Sequence, residues 1–126
     1  MTAPRFEAAP AAAGPRVQGF SGRDFLVDGR AFAALLLTPE AALEWAPPAL
    51  AALAAQDVEA VLALDPAPEF LLLGTGPAMA FPPRGLTEGL AARGIGVEAM
   101  DSRAAARTWG LLRGEGRWIA AALMPL

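Results

Sequence analysis

Histidine, cysteine, lysine, tyrosine and asparagine are all absent from this chain of 126 residues. Serine occurs only at Ser21 and Ser102, and all ten positive charges are arginines. These absences close most common enzyme chemistries. Without His or Cys there is no Ser-His or Cys-His nucleophile pair, no His/Cys zinc site and no disulfide framework. Without Lys there is neither a Schiff base nor a P-loop phosphate clamp. The acid–base candidates left are carboxylates, Glu98 with Asp101 and Asp57 with Glu59. Neither pair has an aromatic cluster or polar shell around it in the sequence. The inventory leans away from an enzyme and calls for no metal and no cofactor.

What is present suits one packed domain. Hydrophobic residues make up 55% and charged ones 18%, enough apolar surface to fold rather than stay disordered. The net charge is −3, spread unevenly: residues 31–83 hold six acids (Glu40, Glu44, Asp57, Glu59, Asp65, Glu69) and no Arg. No strongly basic patch marks a nucleic-acid partner. The longest apolar runs, among them Ala31–Leu37 and Trp118–Met124, fall well short of the ~20 residues of a spanning helix, so no transmembrane segment is expected. Residues 1–15 are rich in Ala and Pro and read as a disordered leader, neither a secretory signal nor a transit peptide. The Ala- and Arg-rich usage reads as base-composition bias of a GC-rich genome, and with neither a spanning segment nor a targeting signal the expected protein is bacterial and cytoplasmic.

Structure is expected from Val17. Asp28-Gly29 signals a type I′ turn joining Phe25–Val27 to a strand over Ala31–Leu37, ended by Thr38-Pro39-Glu40. Beyond Pro47-Pro48, the spacing of Leu50, Leu53, Val58, Val61 and Leu62 predicts a helix ending near Leu64. Phe70–Leu73 reads as a buried strand, Pro83–Arg93 as a helix stopped by Gly94, and Ile95–Ala99 as a second strand. A helix capped by Asp101 or Ser102 runs to about Arg113, with Ala105, Trp109 and Leu112 inward, before a last strand over Trp118–Met124. If both faces of that strand are covered, Trp118, Ala120 and Ala122 face one side and Ile119, Ala121 and Leu123 the other. Its direction stays open, as does the oligomeric state. The fold class is α/β: a single three-layer domain over 16–126, with a central mixed sheet, an N-terminal antiparallel meander and C-terminal βαβ-type crossovers.

Two segments could carry binding. Gly74-Thr75-Gly76 leaves a buried strand at its carboxyl end, where α/β sheets bind ligands, although two glycines also serve a tight exit. Asp101-Ser102-Arg103 follows the neighbouring strand and should share that edge. There Asp101 or Ser102 serves as a helix cap, or Arg103 and Arg107, one turn apart, offer two guanidinium groups to an acidic partner or anion. Glu40, Glu44 or Asp65 could balance them. Trp45, Trp109 and Trp118 read as core or core-rim anchors.

The stretch from Phe70 through Gly74-Thr75-Gly76 and Pro82-Pro83, then Ala92 to Thr108, Leu111-Leu112 and Glu115-Gly116-Arg117, resembles the family classed as domain of unknown function 498. Gly19-Phe20-Ser21-Gly22 with Phe25 is similar to that family's entry strand, and Ala33–Leu37 to its first long strand. The family includes the mitochondrial respiratory complex I assembly factor 3 and the adipogenesis-associated domain protein. The resemblance covers residues 17–124 and implies a three-layer α/β domain without established catalytic residues, acting through protein contacts in the assembly of a respiratory or other membrane complex. Trp109-Gly110 and Phe20 stand where relatives tend to have Tyr-Asn and Tyr. The expected function is a non-catalytic interaction or assembly factor with a protein partner. The alternative is a small-molecule or anion binder, an enzyme included, using the cleft formed by Gly74, Thr75, Gly76, Asp101, Ser102, Arg103 and Arg107.

Overall fold

A computed structural model describes residues 13–126. The expected leader falls mostly on residues 1–12, outside the described residues.

The chain opens as a meander of three short antiparallel strands, β1 (Gly19–Ser21), β2 (Asp24–Val27) and β3 (Arg30–Phe32). Gly22 (φ +61°) turns the first hairpin, while Asp28 (φ 51°) and Gly29 (φ 80°) turn the second with the paired positive φ of a type I′ turn. A second sheet holds β4 (Leu35–Leu37), β5 (Ala42–Glu44), β6 (Phe70–Gly74), β7 (Gly96–Met100) and β8 (Ala120–Leu123), in the order β5-β4-β8-β6-β7. β6 runs parallel to both β7 and β8, and β4 runs antiparallel to β8 and β5. The last strand is therefore inserted at the centre, parallel to one neighbour and antiparallel to the other.

Three layers follow. On one face, α1 (Glu59–Leu62) and α2 (Arg84–Ala91) bury Val61, Leu62, Leu86 and Leu90 against Leu71, Leu73, Ala120 and Ala122. On the other, α3 (Ser102–Gly114) and the small sheet bury Ala105, Trp109, Phe25 and Phe32 against Leu35, Leu37, Leu72, Ala121 and Leu123. Side chains of β8 thus alternate between two cores, as its unbroken apolar run implied. Asp101 Oδ1 accepts the Ala104 amide at 2.9 Å, capping α3.

Three expectations are corrected. The strand over Ala31–Leu37 is two strands in different sheets, parted at Ala33-Ala34. This break swings Phe25, Val27 and Phe32 over Leu35 and Leu37, burying both sets. An antiparallel strand at Ala42–Glu44 was not expected; the turn before it is wound on Thr38 Oγ1, which accepts the amides of Glu40 (3.1 Å) and Ala41 (2.9 Å). The helix over 50–64 is instead two 3₁₀ turns, Leu50–Ala52 and Ala55–Val58, and the single turn of α1. The gap from Leu53 to Val58 puts them ~140° apart on a helix of 100° per residue, so one helix cannot bury both. Extended backbone at Leu53 and Ala54 resets the phase, and both apolar side chains reach the core.

The segment 13–15 is held against α3. Trp109 Nε1 donates to the Pro15 carbonyl at 2.8 Å, and the guanidinium of the buried Arg113 donates to the carbonyls of Arg117 (2.6 Å) and Ala13 (3.4 Å). Burial, and then the neighbouring Arg16, lower the Arg113 pKa, yet a guanidinium this far above neutrality stays charged. Ala13 to Pro15, expected in the leader, are held against the domain.

Candidate functional site

Gly74, Met100 and Leu123 pair across the ends of β6, β7 and β8, so the parallel strands finish on one edge. The two predicted segments meet there. Ser102 is fully buried; its Oγ accepts the Gly76 amide at 2.9 Å and donates to the Met124 carbonyl at 2.8 Å. The Ser102 amide donates to Gly76 O at 2.8 Å, and Met124 N to Gly74 O at 3.0 Å. Thr75 Oγ1 donates to Ala78 O at 2.7 Å and accepts the Ala80 amide at 3.1 Å. The hydroxyls of Thr75 and Ser102 and the amides of Gly76 and Ser102 are thus engaged in bonds within the chain. Gly74 is needed because a Cβ there would lie 2.8 Å from Ser102 Cα. Gly76 is needed because its φ is +114°.

Ser102 is thus the pin that joins the ends of β6, α3 and β8. Ser102→Ala is expected to cost about 2 kcal/mol, because a buried amide and a buried carbonyl both lose their partner. Urea denaturation measures it. A loss below about 0.5 kcal/mol would mean that water replaces the hydroxyl.

Open surface begins one residue further out. Arg23, Pro77, Arg103 and Leu126 line a shallow depression of about 280 Å³. The Arg103 guanidinium sits 4.7 Å above the Phe20 ring, a cation–π contact that orders the side chain without neutralising it. Arg107 follows one turn along α3, exposed like Arg103. Glu44 does not balance either one, because it pairs with Arg30 at 3.2 Å. Arg84, Arg93 and Arg117 also face carboxylates, of Glu88, Glu59 and Glu69 respectively. Arg117 hydrogen bonding holds the Glu69 carboxyl below the usual range. Among the described residues, Arg23, Arg103 and Arg107 have no carboxylate within 4.0 Å.

Three of the four candidate carboxylates do structural work. Asp57 accepts the Ala54 amide at 2.8 Å, Glu59 pairs with Arg93, and Asp101 caps α3. Among the described residues no group of three His, Cys, Asp or Glu is arranged to hold a metal. No helix among them is long and apolar enough to cross a membrane. The tryptophans anchor: Trp109 is fully buried, and Trp45 and Trp118 donate to the carbonyls of Asp57 and Pro66.

Sequence reasoning passed over Phe81, 84% exposed, Met79, 51% exposed, and Arg23. A methionine and a phenylalanine set among prolines, in a stretch that reads as neither helix nor strand, were the available signal.

The family described as "Protein of unknown function (DUF498/DUF598)" matches residues 17–124. An uncharacterised Rhodobacter capsulatus protein is 37% identical over 92 residues, covering 73% of this chain and 68% of its own length. The NADH dehydrogenase [ubiquinone] 1 alpha subcomplex assembly factor 3 of Danio rerio is 33% identical over 116 residues, covering 91% of this chain and 67% of the relative. The protein of the same name from Bos taurus is 29% identical, and the chain spans 60% of its length. A Bordetella parapertussis crystal structure superposes with a TM-score of 0.81 at 34% identity, covering 93% of this chain and 100% of that one. A solution structure from Bordetella pertussis, described as a Mth938-like domain, gives 0.76 at 28% identity, covering 99% and 92%.

Proposed function

Because this chain belongs to the DUF498/DUF598 family, we propose that it is a non-catalytic assembly factor that works through protein contacts from the soluble side of a respiratory or other membrane complex. The observation that carries this reading is the alignment of 91% of the chain with a relative named as a complex I assembly factor. The spent polar groups at the strand ends support it, since Ser102 and Thr75 bond to their own backbone and leave a surface instead of a reaction chamber. The absence of His, Cys and Lys points the same way, and a bacterial source accords with the Rhodobacter and Bordetella relatives.

The test is capture of the full chain, tagged at native expression, together with its deletion. A stable partner and a membrane complex stalled short of full size are expected. No partner above background, with complexes of unchanged size after deletion, overturns the reading.

The second reading, an anion binder, is favoured by the two arginines lining the depression beside Pro77 and Leu126. A ligand at 100 times its Kd would stabilise the fold by about 2.7 kcal/mol. Flat melting curves across nucleotides, phosphates and carboxylates would remove it.

A further inference from the structure

The loop from Gly74 to α2 presents large apolar side chains on a backbone that cannot retract them. Thr75 Oγ1 ties Ala78 and Ala80 into one turn, placing Met79 at its tip. Phe81 follows, and then Pro82-Pro83, whose fixed φ angles lead directly into α2, with Thr87 N donating to Pro83 O at 3.2 Å. Isolated exposed hydrophobics are ordinary on a protein surface. Here Met79 and Phe81 lie two residues apart on an ordered turn, so covering them costs little conformational entropy. Pro77, at the start of this turn, also lines the depression flanked by Arg23 and Arg103. Pro77 is thus the residue at which the apolar loop adjoins Arg23 and Arg103, which have no carboxylate partner. Arg107 and the 69%-exposed Leu111 extend that character along α3 at successive four-residue steps. In a chain of net charge −3, the described arginines on this face have no carboxylate partner, while Arg30, Arg84, Arg93 and Arg117 are paired.

We propose that the loop 77–83 and Arg23, Arg103 and Arg107 form a docking surface for an acidic protein segment, one with carboxylates beside a bulky apolar anchor. The inference rests on the protein-partner reading and names the chemistry of that partner. Carboxylates meet guanidinium groups already ordered or clustered, and the anchor covers Phe81 and Met79. Rigid aromatic anchors ringed by polar contacts are how interfaces concentrate their affinity.

Fluorescence anisotropy with two short synthetic peptides tests this. Both carry the same Leu and Phe positions, one with Glu and the other with Lys between them. The Glu peptide is expected to bind at least about tenfold more tightly at low salt, and the gap should close as salt screens the charges. Phe81→Ala should weaken it about tenfold. Arg103→Glu with Arg107→Glu should abolish the preference, and Arg103→Lys with Arg107→Lys should keep most of it. Amide shifts should fall on residues 77–81 and 103–107. Equal binding of the two peptides, shifts on the Glu59–Arg93 face, or complete displacement by inorganic phosphate would overturn the proposal. So would a dimer of the free chain that Phe81→Ala dissolves, since a second copy would then be the occupant. If the tagged Phe81→Ala, Arg103→Glu, Arg107→Glu variant still captures the wild-type partner, this surface falls and the assembly reading stands. If the wild-type chain captures nothing yet the peptide preference holds, the reverse is true.

Discussion

Trp109→Ala is expected to remove about 3–5 kcal/mol of stability, the cost of deleting a buried large aromatic. For a domain whose whole stability is about 5–15 kcal/mol, that brings it close to unfolding. Trp109 is fully buried in the core between α3, the small sheet and the central sheet, so the cavity would open where three elements meet. Its indole also donates to Pro15 O, and with Arg113 it ties the segment 13–15 to α3. Denaturant unfolding should show a lower midpoint. Trp109→Phe separates the two contributions: it keeps most of the apolar volume and loses the hydrogen bond, at about 1 kcal/mol beyond the volume change. A loss under about 1 kcal/mol for Trp109→Ala would mean that the layers collapse onto the gap, contrary to a core closed from both sides.

Gly74→Ala is expected to cost about 3 kcal/mol, the upper end for overpacking a filled site. The added Cβ would lie 2.7 Å from Ser102 Oγ, 2.8 Å from Ser102 Cα and 3.0 Å from Leu123 Cδ2. The hydroxyl and the leucine methyl can rotate away, but the Ser102 Cα cannot. Relief requires moving the start of α3 off the strand ends, which also breaks the bonds that Ser102 makes to Gly76 and Met124. Gly110→Ala is the control: it sits within α3 with nothing within 4 Å of its added Cβ. That change should stabilise by about 0.5–1 kcal/mol through helix propensity. Thermal and urea unfolding of the pair should move in opposite directions. If both move alike, Gly74 is not held by its close approach to Ser102.

Much of the C-terminal half was legible residue by residue. The apolar run at Phe70–Leu73, the Pro82-Pro83 entry, the Gly94 stop and the Asp101 cap are local signals, and β6, α2, β7 and α3 lie where those signals put them. The middle of the chain was not legible in the same way. Leu50, Leu53, Val58, Val61 and Leu62 are spaced enough like a helix to suggest one, and only the phase slip between Leu53 and Val58 betrays the break. At the site, the convergence of Gly74–Gly76 with Asp101–Arg103 was foreseeable from parallel strands sharing an edge. That Ser102 fills the turn was not, because two hydrogen bonds of one hydroxyl to backbone groups 26 and 22 residues away leave no mark on local sequence.

The sequence by itself determined what this protein cannot do by side-chain chemistry, since residues that are absent cannot be supplied by folding. It also determined the elements whose periods of 3.6 and 2 are written in neighbouring residues. The tertiary structure alone decided the break at Ala33-Ala34, the place of β8 between an antiparallel and a parallel neighbour, and the gathering of Arg23, Phe20 and Arg103 beside the loop that carries Phe81. Each of these joins segments far apart in the chain, and their selection depends on burying two faces of one sheet at once. No window of the sequence contains both sides of such a contact.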